Sequence, residues 1–196
     1  MFYVYTVRDT VRVPPRKISE DLKKAVLEEL KDVYEGTVDE DMGVIVAILD
    51  VKEIGEGKII WGDGGVYVDT VFDVLTFYPT LNEVVDGFIT DITEFGAFAR
   101  IGPLDGLIHV SQIMDDFVRY DPSVPAFIGK ESNRMLRIGD FVRARIVTVS
   151  LKDSIADTKI GLTMRQPGLG KWEWIEAEKK KAEEQAKKGG KGAKKA

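Results

Sequence analysis

The sequence predicts an α+β chain: an N-terminal antiparallel sheet packed with one helix, then an all-β barrel, then a C-terminal helix. Three observations carry this. Runs of two-residue apolar alternation recur along most of the chain, one amphipathic run (SEDLKKAVLEELKDVYEG) interrupts them early, and a run beginning WEWIEAEKKKAEEQ closes it. At 196 residues and 44% apolar content there is room for one large or two small packed domains.

Taken in order, MFYVYTVRDTVRVPP alternates as a strand and stops at Pro14-Pro15. The helix that follows takes Ser19 as its N-cap, with Glu20 and Asp21 in the first turn where the helix dipole favours anions. Leu22, Val26, Leu30 and Val33 form its buried stripe and Gly36 its stop. GVIVAILDVKEI, from Gly43, is apolar enough for a central strand, and VYVDTVFDVLTFY, from Val66, alternates until Pro79. Two glycine clusters lie between them, Gly55-Glu56-Gly57 and Gly62-Asp63-Gly64-Gly65. The second is no phosphate cradle, because a strand pattern rather than a helix N-terminus follows it. It reads as a turn, with a tip fitted closely against another backbone as the other reading.

The stretch DITEFGAFARIGPLDGLIHVSQI, from Asp91 to Ile113, is a hairpin with chemistry on it. Phe98 and Arg100 share one strand face while Ala97, Ala99 and Ile101 fill the other, and on the second strand His109 points opposite to Ile108 and Val110. A tight turn at Gly102, Pro103 and Asp105-Gly106 joins the two strands. Flat rings beside a cation suit single-stranded RNA, at roughly 1–3 kcal/mol per stacked base. The bland alternative is a set of core aromatics and a structural histidine; alternation favours exposure. FVRARIVTVS from Phe141 and KIGLTMR from Lys159 add two strands. Arg143 and Arg145 share a face and are either phosphate contacts or part of a solvated outer surface.

Composition excludes several classes of function. With no cysteine there are no disulfides, no Cys-based zinc site and no thiol catalysis, and one histidine rules out a His-rich metal centre. No run approaches a membrane span, and the N-terminus carries charges where a signal peptide is apolar, so a cytoplasmic location is expected. Residues 1–80 hold 9 Lys and Arg against 16 Asp and Glu, residues 81–170 hold 10 against 12, and residues 171–196 hold 9 against 5. The acidic first part is a poor surface for phosphates and suits a protein partner; RNA contact falls to the second part, with the basic tail from Lys187 to Lys195 as a further candidate. Asp39, Glu40 and Asp41 read as a solvated turn, and Asp115 and Asp116 point to opposite faces with no partner base or nucleophile. No catalytic residue, metal or cofactor is expected.

The hairpin is similar to the S1-type RNA-binding domain, an OB-fold barrel whose pattern joins F-G-A-F to G-L-(apolar)-H-(apolar)-S. The resemblance implies a five-stranded barrel, puts Phe95, Phe98 and His109 on base-stacking positions, and matches Lys159 to a basic residue of the last strand. The candidate RNA-binding set is therefore Phe95, Phe98, Arg100, His109, Arg143, Arg145 and Lys159. The N-terminal α+β domain, the GDGG loop, HVSQIMDDFVRYDP, the IGK segment and TMRQPGLGKWEWIE extend a resemblance over about residues 1–178. It is to the family of the seventh subunit of archaeal and eukaryotic DNA-directed RNA polymerase. That family implies a tip domain over 1–80, an S1-type domain over 81–168 with an insertion at about 115–137, and a C-terminal helix and basic tail over 169–196. It also implies a noncatalytic stalk protein paired with RNA polymerase subunit 4 (F). Such a protein docks on the core at the largest subunit and clamp base through Gly62, Asp63, Gly64 and Gly65, and meets single-stranded nascent RNA. The alternative is an S1-type accessory protein of translation or RNA decay.

Overall fold

Alternation in the first third builds a four-stranded antiparallel sheet, ordered β1–β4–β3–β2, from β1 (Phe2–Val13), β2 (Val38–Asp39), β3 (Gly43–Ile59) and β4 (Val66–Phe77). The computed structural model describes residues 1–18 and 21–192, with side chains described through Glu183. It divides into two units, Met1–Thr80 with Ser150–Thr158, and Leu81–Val149 with the chain from Lys159 onward.

In the first unit, α1 (Leu22–Tyr34) covers one face of the sheet, burying Ala25, Val26 and Leu30 against Val13, Ile48, Val68 and Phe72. The helix departs from expectation at its start. Asp21 is the cap, its carboxylate accepting the Lys23 N–H at 3.1 Å, while Ser19 and Glu20 lie outside the described residues. Leu22 and Val33 are exposed and Ala25 is buried, because the strands meet a face centred on Ala25, Val26 and Leu30. Gly36 does stop the helix: at φ 82° its N–H donates to Ile45 O at 2.9 Å. β3 runs longer than its apolar core predicts, through Gly55 and Gly57, with register shifts between Ile45 and Gly57. A Cβ on Gly57 would lie 2.7 Å from Val66 Cγ1, so this glycine permits the close approach of β4 and marks no turn.

The second unit is a closed five-stranded barrel. Its strands run β12–β7–β6–β5–β11, with β12 also pairing β11, where β5 is Val84–Thr93, β6 Gly96–Arg100, β7 Asp105–His109, β11 Phe141–Ser150 and β12 Lys159–Thr163. Ala97, Ala99, Ile108, Val142, Ala144, Ile146, Ile160 and Leu162 are buried inward by alternation, and a register shift between Ile89 and Asp91 lets β5 bury both Ile89 and Ile92. The β6–β7 turn is shorter than expected: Ile101 N–H donates to Leu104 O, and Asp105 and Gly106 already belong to β7. Between β7 and β11, β8 (Val118–Asp121), β9 (Ala126–Gly129) and β10 (Met135–Arg137) form a separate antiparallel sheet around buried Phe127 and Leu136. After the barrel, β13 (Gly170–Lys171) pairs β11 and leads into α2 (Trp172–Gly192), seated by buried Ile175. Among the described residues no helix is long and apolar enough to cross a membrane.

Candidate functional site

On β6, inward Ala97 and Ala99 force Phe98 and Arg100 outward, and on β7 inward Ile108 does the same for Leu107 and His109. Register then assembles the face. Gly96 stands opposite His109 and Phe98 opposite Leu107. Gly96 is required there, since a Cβ would lie 2.4 Å from Ile108 O. Phe95 is 52% exposed and meets half-buried Phe98 edge-on, with ring centroids 6.1 Å apart and planes at 89°. One ring thus supports the other while leaving flat surface open to a base. The His109 side chain is exposed; its Nδ1 lies 2.9 Å from Ser111 Oγ and accepts the Ser111 N–H. With Nδ1 accepting, the neutral ring carries its proton on Nε2, which faces away from this bond and can donate.

The cations of the candidate set divide by whether they are already paired. Arg100 Nε and Nη2 donate to the two Asp105 oxygens at 2.8 and 2.9 Å, and this hydrogen-bonded carboxylate raises the guanidinium pKa. Arg143 is held in the same way by Asp86, at 2.7 and 2.9 Å, and stacks over Trp172 at 4.4 Å. Lys159 is exposed, makes no ion pair among the described residues, and opens the strand that runs parallel beside β7. The outward face therefore runs from Phe95, Phe98 and His109 at one end of the hairpin to Arg100 at the other, where Lys159 begins the adjoining strand. Arg143 and Arg145 stand apart on β11, opposite Asp86 and Val84 of β5. Arg145 Nε is buried without a hydrogen-bond partner.

Two aromatic residues on this surface escaped the sequence reading. Phe88, opposite Arg100, and Phe141, opposite Phe88, stack obliquely at 6.3 Å and are 40% and 65% exposed. The signal was present, since each alternates with a buried neighbour, Ile89 and Val142.

The glycine loop of the first unit is built around one carboxylate. Asp63 accepts from Arg12 Nε and Nη2 at 2.8 and 2.6 Å, from Gly65 N–H at 2.9 Å and from Tyr67 OH at 2.8 Å. These bonds, Arg12 foremost, hold its carboxyl well below the usual carboxylate range. Gly62 takes φ 91° at the turn, Gly64 is exposed, and buried Gly65 lies against Arg12. What the loop presents is apolar: Ile59, Ile60 and a fully exposed Trp61 precede it. Three large apolar side chains thus stand exposed at one turn, a feature that the sequence carries in the Ile-Ile-Trp run before the glycines.

Asp115 and Asp116 serve different partners. Asp115 accepts from Arg165, at 2.6 and 2.9 Å, and Asp116 from the Glu131 and Ser132 amides. Asp39 closes its own turn by accepting from the Asp41 and Met42 amides. The Lys187–Lys195 tail lies outside the residues with described side chains.

Comparison with known proteins matches both halves of the chain. Residues 8–64 match the SHS2 domain found in the N terminus of Rpb7p/Rpc25p/MJ0397, and residues 78–158 the S1 RNA binding domain. DNA-directed RNA polymerase subunit Rpo7 of Saccharolobus shibatae is 39% identical over 180 residues, covering 92% of this chain and 100% of that protein. DNA-directed RNA polymerase II subunit rpb7 of Dictyostelium discoideum is 27% identical over 148 residues, covering 74% of this chain and 86% of its own. Ribonuclease R of Vibrio cholerae is 32% identical over 111 residues, which is 55% of this chain and only 14% of that protein.

Proposed function

The chain belongs to the Rpo7 family of DNA-directed RNA polymerase subunits, and we propose that within the polymerase it acts as a noncatalytic stalk subunit. In this reading it pairs with subunit 4 (F), docks on the core at the largest subunit and clamp base through the Ile59–Gly65 loop, and holds emerging RNA on its barrel. The observation that carries it is the presence of two unlike exposed surfaces on separate units: the Trp61 loop and the Phe95–Phe98–His109 face.

On the barrel, bases stack on Phe95 and Phe98, His109 donates from Nε2, and Lys159 meets phosphate. Two stacked bases at roughly 1–3 kcal/mol each supply roughly 2–6 kcal/mol, which corresponds to a weak contact on the affinity scale. Weakness suits the task, because a transcript must advance through the site as it lengthens. Arg100 and Arg143 are tied to carboxylates, which limits how strongly phosphate is gripped. At the loop, burying one tryptophan removes about 150–250 Å² from water and makes it the natural anchor of a protein contact.

The test is recovery from native extract with a tagged full-length chain. Copurification of the large polymerase subunits and subunit 4 supports the reading. Recovery of ribosomes or an exonuclease in their place contradicts it.

A further inference from the structure

Just after His109, residues of the segment 110–118 together with Glu131 and Arg165 line a cavity of about 390 Å³, inside the range of roughly 300–1,000 Å³ typical of small-molecule pockets. Its floor is apolar, from Val110, Met114 and Val118, and the ring of Phe117, 74% exposed, stands at its edge. Its polar groups are chiefly acceptors. Asp116 is used up internally, taking the Glu131 N–H at 3.1 Å and the Ser132 N–H and OH at 2.9 and 2.8 Å. These bonds fix the turn from which Glu131 projects. The Gly129 position seals it, because a Cβ there would lie 2.5 Å from both Asp116 Oδ2 and Ser132 Oγ. Asp115 is bound by Arg165. The Glu131 carboxylate alone lines the cavity with neither an ion pair nor a hydrogen bond to its side chain among the described residues.

We infer that this cavity receives one guanine base of the RNA strand whose neighbouring bases stack on Phe95 and Phe98. The inference rests on the RNA-binding reading above. A free carboxylate offers two acceptors side by side, and among the bases only guanine presents two parallel donors, N1–H and the N2 amine, on its Watson–Crick edge. Adenine and cytosine offer one amine donor beside an acceptor, and uracil one N–H flanked by two carbonyls. Phe117 supplies a ring for the purine face. The acidic surroundings repel phosphate but not a neutral base, so the backbone stays outside, on the His109 side. Continuity places the base there: Ser111, which lines the cavity, is the residue that His109 Nδ1 contacts.

The experiment measures binding of the full-length chain with subunit 4 to labelled oligouridylate and to the same oligomer carrying one central guanosine, inosine, adenosine or cytidine. The guanosine oligomer should bind about tenfold more tightly than oligouridylate, the scale of a good bidentate base contact. Inosine, which lacks the N2 amine, should fall between. Glu131→Gln should abolish the preference without changing the oligouridylate affinity, and Phe117→Ala should weaken the guanosine oligomer most. Equal affinities across the series, or a preference that survives Glu131→Gln, overturn the inference and leave RNA binding by the barrel standing. Failure to bind any oligomer overturns both. Guanosine monophosphate binding as tightly as the guanosine oligomer overturns the assignment to an RNA strand.

Discussion

The Ile59–Gly65 loop and the Phe95–His109 hairpin both expose aromatic rings, and they do so in opposite ways. At the loop the charged groups are consumed internally, Arg12 and Tyr67 both binding Asp63, so that apolar Ile59, Ile60 and Trp61 stand clear on a pinned turn. On the hairpin the rings support one another, Phe95 edge-on to Phe98, at the end that carries a polar His109, while Lys159, without an ion pair among the described residues, stands on the adjoining strand. A rigid apolar projection fits a preformed pocket in a protein. A graded surface of half-exposed rings with a donor and a cation fits a flexible strand of bases. Exposure of aromatic residues alone does not separate these uses; the state of the neighbouring charges does.

This contrast can be broken most forcefully at Trp61. Trp61→Ala should weaken association with core polymerase by about 2 kcal/mol or more, roughly thirtyfold, in a competition assay against the wild-type stalk. Heterodimer formation and RNA affinity should not change. Loss of RNA affinity in this variant would show that the two surfaces are not independent.

A smaller effect is expected at Asp63→Asn, which frees Arg12 and loosens the loop without removing Trp61. Core binding should fall several-fold, and the Gly65 amide should lose protection from hydrogen exchange. The pH dependence has a fixed sign. The folded Asp63 carboxyl lies below its ordinary value of 3.8, so its stabilisation of the loop is fully present above about pH 4 and is lost as pH falls below that. Substituting Gly65 is a less clean probe, because a Cβ would meet Arg12 at 3.0 Å and disturb the same ion pair.

The smallest effect sharpens the hairpin side. Each phosphate neutralised on a single strand contributes a slope of about −0.7 to log K against log salt. With Arg100 already paired, Lys159→Ala should make that slope shallower by about 0.7 with little change in affinity at high salt. A slope unaffected by Lys159 would remove it from the RNA path.

Much of this was legible from alternation alone. The inward Ala97, Ala99 and Ile108 and the outward Phe98, Arg100 and His109 follow from the period of a strand, and so do buried Val142, Ala144 and Ile146. Three things were not legible. The cap at Asp21 and the burial of Ala25 in place of Leu22 depend on how the helix lies on the sheet. The Arg100–Asp105 and Arg143–Asp86 pairs depend on register, which a one-residue slip would change completely. The Glu131 cavity joins residues from Val110 to Arg165, and no local pattern reports a meeting at that separation.

RNA binding by stacking on the hairpin face is the property on which the contrast between the two surfaces depends. The direct measurement is an anisotropy titration of labelled single-stranded RNA with the stalk heterodimer, wild type against Phe98→Ala, His109→Ala. Removing one stacking ring and one donor should lower affinity about tenfold or more, with thermal stability and core binding retained. Unchanged affinity in a folded double variant would contradict it.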